Sequence, residues 1–174
     1  SFSAEPVGAA VTGHLLDDLK DTSNGKLQKL KNYINLGGVV WFNAEWWNGN
    51  PQGNGCSNKD NINEILTLLE TEIRADSDLG FIGIAELSDN DAVQNSGLPP
   101  TQDNNATVIF TGGTPVYTTP TTYGASPPLT ITVYEKIGGG ILYVSGDSNT
   151  SFNYGYNGIN NQIYNGLRSL VINS

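Results

Sequence analysis

The chain of 174 residues contains no methionine, a single cysteine (Cys56) and a single histidine (His14). One cysteine excludes an intrachain disulfide framework and leaves the redox compartment open. Because His14 precedes Cys56, no histidine base can follow a cysteine nucleophile along the chain. Basic residues are scarce: 8 Lys and Arg against 17 Asp and Glu give a formal net charge of −9. That balance argues against nucleic acid as a partner, since a phosphate-binding surface needs clustered lysine and arginine. Half of the basic residues lie between Lys20 and Lys31 and read as the solvated face of a helix. No apolar run approaches the roughly 20 residues of a membrane span. No signal peptide is visible, which says nothing about secretion. With no methionine and Ser1 at its start, the chain is expected to be a processed product or a piece of something longer.

Charged residues make up only 14% of the chain, well below the usual quarter or so. Polarity comes instead from Asn, Gly, Thr and Ser, a composition common among secreted, cell-surface and virion proteins. The expected location is therefore extracellular, on a cell surface or in a virion. The length suits one domain, residues 1–174, with a core of its own.

What the chain does have is a repeated device. Gly37-Gly38-Val39-Val40-Trp41-Phe42-Asn43-Ala44-Glu45 returns as Gly139-Gly140-Ile141-Leu142-Tyr143-Val144-Ser145-Gly146-Asp147. Each copy opens into an Asn/Gly-rich loop that leads to an amphipathic stretch, Asn63-Glu64-Ile65 with Leu69 and Asn161-Gln162-Ile163 with Leu167. The pattern reads as tight turn, buried strand, acidic loop and helix. Around it, Val7–Val11 reads as a short strand, Leu15, Leu16 and Leu19 as one or two helical turns, and Leu27, Leu30 and Ile34 as a helix stopped by Gly37. Asn61 with Glu64 has the spacing of a capping box for a helix carrying Ile62, Ile65, Leu66, Leu69 and Ile73. Strands are expected at 81–85, 107–111, 129–134 and 141–145, with a long exposed loop over 88–105 and a last helix through Ile159, Ile163, Leu167 and Leu170. Helices alternating with uniformly apolar strands predict an α/β fold: an open, mainly parallel sheet with helices on both faces.

The run Gly139 to Asn149, followed by Asn160-Asn161-Gln162-Ile163 and a closing apolar helix, resembles the C-terminal end of class I glutamine-amidotransferase-like domains. Leu30 to Glu45 looks like the mid-domain helix and strand of the same superfamily. The likeness covers residues 26–74 and 136–172 and implies a flavodoxin-like fold. Active members of that superfamily carry a cysteine on a strand-to-helix elbow with a later histidine and glutamate. Here Cys56 sits in the polar loop Asn54-Gly55-Cys56-Ser57 and no histidine follows. The resemblance therefore implies a domain without the catalytic triad, and no catalytic residue is assigned.

Two groups of candidate residues lie in the loops. If both repeat strands share one parallel sheet, Glu45 and Asp147 emerge at its carboxyl edge, where such folds bind ligands. With Asn43 or Asn149 they would offer oxygen ligands to a calcium-like cation. Alternatively each acid caps a turn or faces a helix N-terminus; a carboxylate-dependent hydrolase is a third reading, set by their separation. Trp46, Trp47, Tyr154 and Tyr156 form an aromatic population around the same loops, as a sugar-stacking platform, as interface anchors or as a cover for the sheet end. Trp41 reads as core, and Asp89-Asn90-Asp91 as a solvated loop. The expectation is a non-catalytic structural or recognition module of a larger assembly, contacting itself, other subunits or a glycan, with no obligatory cofactor.

Overall fold

The computed structural model describes residues 8–44, 46–47, 56–147 and 159–173. Helix α1 spans Gly8–Lys20 and α2 spans Lys26–Asn35. Asn24 Oδ1 accepts from Lys26 N at the turn between them. Strand β1 (Val39–Asn43) follows, then the two-residue strands β2 (Trp46–Trp47) and β3 (Cys56–Ser57) and helix α3 (Lys59–Leu68). Next come β4 (Arg74–Leu87), the short α4 (Asp91–Gln94), β5 (Thr101–Thr111) and β6 (Thr114–Thr118). Strands β7 (Thr130–Ile137) and β8 (Gly140–Ser145) and helix α5 (Ile159–Asn173) complete the order.

The expected open, mainly parallel flavodoxin-like sheet is not what the chain forms. Six strands make one mixed, half-barrel sheet in the order β1-β8-β7-β6-β4-β5, and β2 pairs with β3 separately. Among the described residues only β1 and β8 run parallel; the other pairings in this sheet are antiparallel. The physical reason lies in the connections. A parallel pair needs a crossover of about a dozen residues or more, whereas β7 meets β8 through the two-residue turn Gly138-Gly139, with Ile137 opposite Gly140. The two copies of the glycine motif therefore do different work. Gly37 ends a helix in the left-handed region (φ 100°), where Gly37 N donates to Ile34 O and Gly38 N to Tyr33 O. The second copy closes a hairpin, with Gly138 at φ 58°.

The stretch 88–105, read as loop, holds α4 and the first half of β5. Asp89-Asn90-Asp91 is a helix start: Asn90 Oδ1 accepts from Ala92 N and Val93 N. The strand expected at Val7–Val11 gives way, from Gly8 on, to α1. The capping box on Asn61 is displaced as well, because α3 begins at Lys59 with Asn58 at its N-cap. Of the four lysines expected on a solvated helix face, three have acidic partners. Lys20 pairs with Glu64, Lys26 with Asp18 at 2.7 Å, and Lys31 with Glu70 at 2.7 Å.

The parallel pair sorts two cores. Its register sets Val39 beside Ile141, Trp41 beside Tyr143 and Asn43 beside Ser145. Gly37 and Gly139 are offset by the same interval, so the two sequence copies lie against each other in their own alignment. Even-numbered residues (Val40, Phe42, Leu142, Val144) join Leu16, Leu19, Ile34, Ile62, Ile65 and Leu66 in one cluster. Ile141 and Tyr143, with Val39 and Trp41 against them, join Val116, Tyr117, Ile163, Leu167 and Leu170 in the other. The helix after the first copy (α3) and the helix after the second (α5) thus pack on opposite faces. The β4–β5 ribbon, bulged between Ala75 and Ser77 and again between Leu79 and Ile82, curls back until Val108 N donates to Gly146 O, while Gly146 N donates to Ile131 O.

Gly146 is where these chains cross. A Cβ there would collide with the carbonyl oxygen of Val108 and press on Thr107 Oγ1 and Ile131 O. Gly146→Ala should therefore lower the unfolding free energy by about 2–3 kcal/mol, read as a shift in urea midpoint. An unchanged midpoint would show that the ribbon does not press on Gly146.

Candidate functional site

At the carboxyl end of β1 and β8, most of the residues singled out from the sequence fall outside the described residues. Glu45, Asn149, Tyr154 and Tyr156 do so entirely. Trp46 and Trp47 are placed by their backbone, opposite Ser57 and Cys56, and nothing is described of their side chains. Asp147 is described and wholly buried, with Ser145 Oγ donating to its carbonyl oxygen at 3.1 Å. Among the described residues no three His, Cys, Asp or Glu side chains gather as a metal site would require. His14 is exposed.

The structure instead brings together residues that the sequence reading left apart. A cleft of about 240 Å³ opens between β1, β6, β8, the segment 99–103 and the start of α5. Its aromatic walls are Trp41, Tyr117 and Tyr143; Thr101, Gln102, Asp103 and Gln162 supply polar groups, and Pro99, Pro100 and Ile163 complete the lining. Strand register places Trp41 directly beside Tyr143, and their rings meet edge to face at 89° with centroids 5.5 Å apart, a favoured aromatic geometry. Tyr117 comes from β6, and its hydroxyl donates to Pro99 O at 2.7 Å, tying the proline segment to the sheet.

The polar wall is held from behind. Thr132 Oγ1 donates to Gln102 Oε1 at 3.0 Å, and Gln102 Nε2 donates to Asn104 Oδ1 at 2.8 Å. Both amides are buried in a strand that reads as polar, and they satisfy each other there. Gln162 is exposed on α5, with Nε2 donating to Gly97 O at 3.4 Å. Gly166 lets α5 come close to Leu98, because a Cβ at that position would meet the Leu98 side chain.

Two polar atoms on β1 are buried without a hydrogen-bond partner among the described residues: Trp41 Nε1 and Asn43 Oδ1. Residues two apart on a strand share a face, so a donor and an acceptor lie unpaired along one side of β1. A second hollow, of about 340 Å³, lies by the end of α2. There Lys31 pairs with Glu70, and Glu135 Oε2 accepts from Glu72 N, so these groups bind one another.

Trp41, read as core, and Tyr143 and Tyr117, not singled out, are thus the aromatic residues of the cleft, and Gln102, Asp103 and Gln162 its polar ones. One signal could have found the pair. Trp41 and Tyr143 occupy the same position in the two copies of the repeat, so pairing the copies in alignment sets two aromatics side by side. Neither family models, nor curated proteins, nor solved structures match this chain. The cleft is therefore interpreted from its own geometry. Among the described residues, no helix is long and apolar enough to cross a membrane.

Burial holds both cleft phenols in the protonated form. Loss of solvent raises Tyr117 far above the ordinary tyrosine range, and loss of solvent together with the neighbouring Tyr117 raises Tyr143. Unfolded tyrosines ionise near pH 10, so between that pH and the folded values only the unfolded chain has lost these protons. The two groups leave stability unchanged below about pH 10 and reduce it progressively above. Denaturant titrations on either side of pH ~10 should show the fall, and Tyr143→Phe should remove about half of it. A fall of equal steepness in Y143F would assign it to other groups.

Proposed function

We propose that this domain is a non-catalytic recognition module of a larger extracellular, cell-surface or virion assembly, and that it contacts its ligand through the Trp41–Tyr143 cleft. One observation carries this reading: Trp41, Tyr117 and Tyr143, with Thr101, Gln102, Asp103 and Gln162, line one cleft, and the buried indole N–H of Trp41 has no partner among the described residues. Mostly apolar walls with a few placed polar groups are the usual make-up of a small-ligand site. The cleft's polar groups are suited to orienting a ligand. The scarcity of charge and the Asn/Gly/Thr/Ser surface support the location.

The reading is tested by two-dimensional ¹H–¹⁵N spectra recorded while a library of sugars, amines, carboxylates and small aromatic compounds is added. Recognition predicts that at least one class moves the Trp41 indole resonance and the Gln162 side-chain resonance, and is recovered chemically intact. If no class moves them, or if a compound is converted to product, the reading fails. Light scattering over a concentration series gives the assembly half its own test: a defined oligomer is the supporting outcome, and a strict monomer that also binds no subunit-like partner counts against it.

A further inference from the structure

Resting on the recognition reading, we infer that the cleft takes an uncharged, hydroxyl-bearing ring of about the size of one sugar unit. Size is the first argument. About 240 Å³ lies below the roughly 300–1,000 Å³ of pockets that enclose drug-sized ligands. Charge is the second. Neither Lys nor Arg lines the cleft, whereas Asp103 does, so an anion would meet a like charge with no cation to offset it.

The polar atoms decide between a neutral ring and a cation. Aromatic walls beside a carboxylate would also suit a quaternary ammonium group. Such a cation carries no acceptor, however, and the buried Trp41 Nε1–H needs one. Asp103, which lines the cleft, offers an acceptor in turn. A hydroxyl is both donor and acceptor. A pyranose carries several of them on the rim of a ring whose C–H face is apolar, so it offers both kinds of group and a face for Trp41. Thr101, Gln162 and Asp103 then meet the outer hydroxyls, with the Asp103 carboxylate as acceptor.

The test uses the full chain and isothermal titration with D-glucose, D-galactose, D-mannose and N-acetyl-D-glucosamine, followed in parallel through the Trp41 indole resonance. Tetramethylammonium and D-glucuronate serve as charged comparisons. At least one neutral sugar should bind with a dissociation constant of about 1 mM or tighter and move that resonance. Trp41→Phe keeps a ring but removes the N–H and should weaken binding by about tenfold, the worth of one hydrogen bond. Gln162→Ala, on the exposed side of α5, should weaken it several-fold without altering the thermal midpoint. Binding of tetramethylammonium in place of sugar, abolished by Asp103→Asn, would overturn the inference and leave the recognition reading standing. So would sugar binding that W41F and Q162A leave unchanged, because the sugar would then sit elsewhere. If no neutral sugar moves the indole resonance at about 10 mM, ten times the expected constant, the inference falls. The recognition reading falls with it only if the wider library is silent too.

Discussion

The hydrogen bonds between β1 and β8 hold these strands in one parallel register, and most of the molecule is arranged around that choice. Because side chains alternate along a strand, a slip of one residue would carry every core residue of β1 to the wrong face. In the observed register Val40 and Phe42 face α1, α2 and α3, while Trp41 faces the side on which α5 lies. Ala44 N continues the pairing by donating to Ser145 O at 2.7 Å. Gly146 comes next, with the β4–β5 ribbon lying across it. One line of contacts therefore joins the pairing of the two repeat copies to the curvature of the whole sheet.

The cleft follows from the same geometry. Aromatic residues at equivalent repeat positions become neighbours only because the copies pair in alignment. Their third aromatic partner arrives on β6, where Tyr117 also secures the segment that forms the opposite wall. Burying polar side chains in β5 would be unfavourable if each stood alone. Gln102 and Asn104 avoid that cost by bonding to each other and to Thr132, which makes the polar wall rigid. The site thus combines an aromatic pair set by strand register with amides set by a buried network.

Helix α2 was legible in the sequence because Gly37 supplies the left-handed residue that ends it. Helix α3 was overextended to Ile73 because the equivalent residue is Glu70, at φ 62°, with Thr71 N donating to Leu66 O in the same capping pattern. Nothing in its side chain announces a helix end. Strands β1 and β8 were readable as short apolar runs, though β1 is an edge strand fully buried on one face and only partly on the other. The length of β4 was hidden by Asp76-Ser77-Asp78 and by its bulges, which break the alternation that marks a strand. The first half of β5 was hidden by polar residues, among them Gln102, whose partner Thr132 is distant in sequence. Fold class failed for a related reason: two glycines before an apolar run fit both a helix stop and a hairpin turn. The cleft was missed because its walls come from five separate parts of the chain.

The partners β1 and β8 are also far apart in the order of synthesis. Val39 leaves the ribosome about a hundred residues before Ile141, a delay of roughly 5–20 s at ordinary elongation rates. During that interval α1, α2 and β1 exist without the strand that completes their sheet, and Val40 and Phe42 lack part of their cover. The β4–β5 ribbon and the β7–β8 hairpin can form from sequence-local contacts as they emerge, whereas the parallel pair must wait for the second copy. Production of this domain therefore depends on how long an unpartnered apolar strand remains in solution, a hazard set by the sequence separation of the repeat.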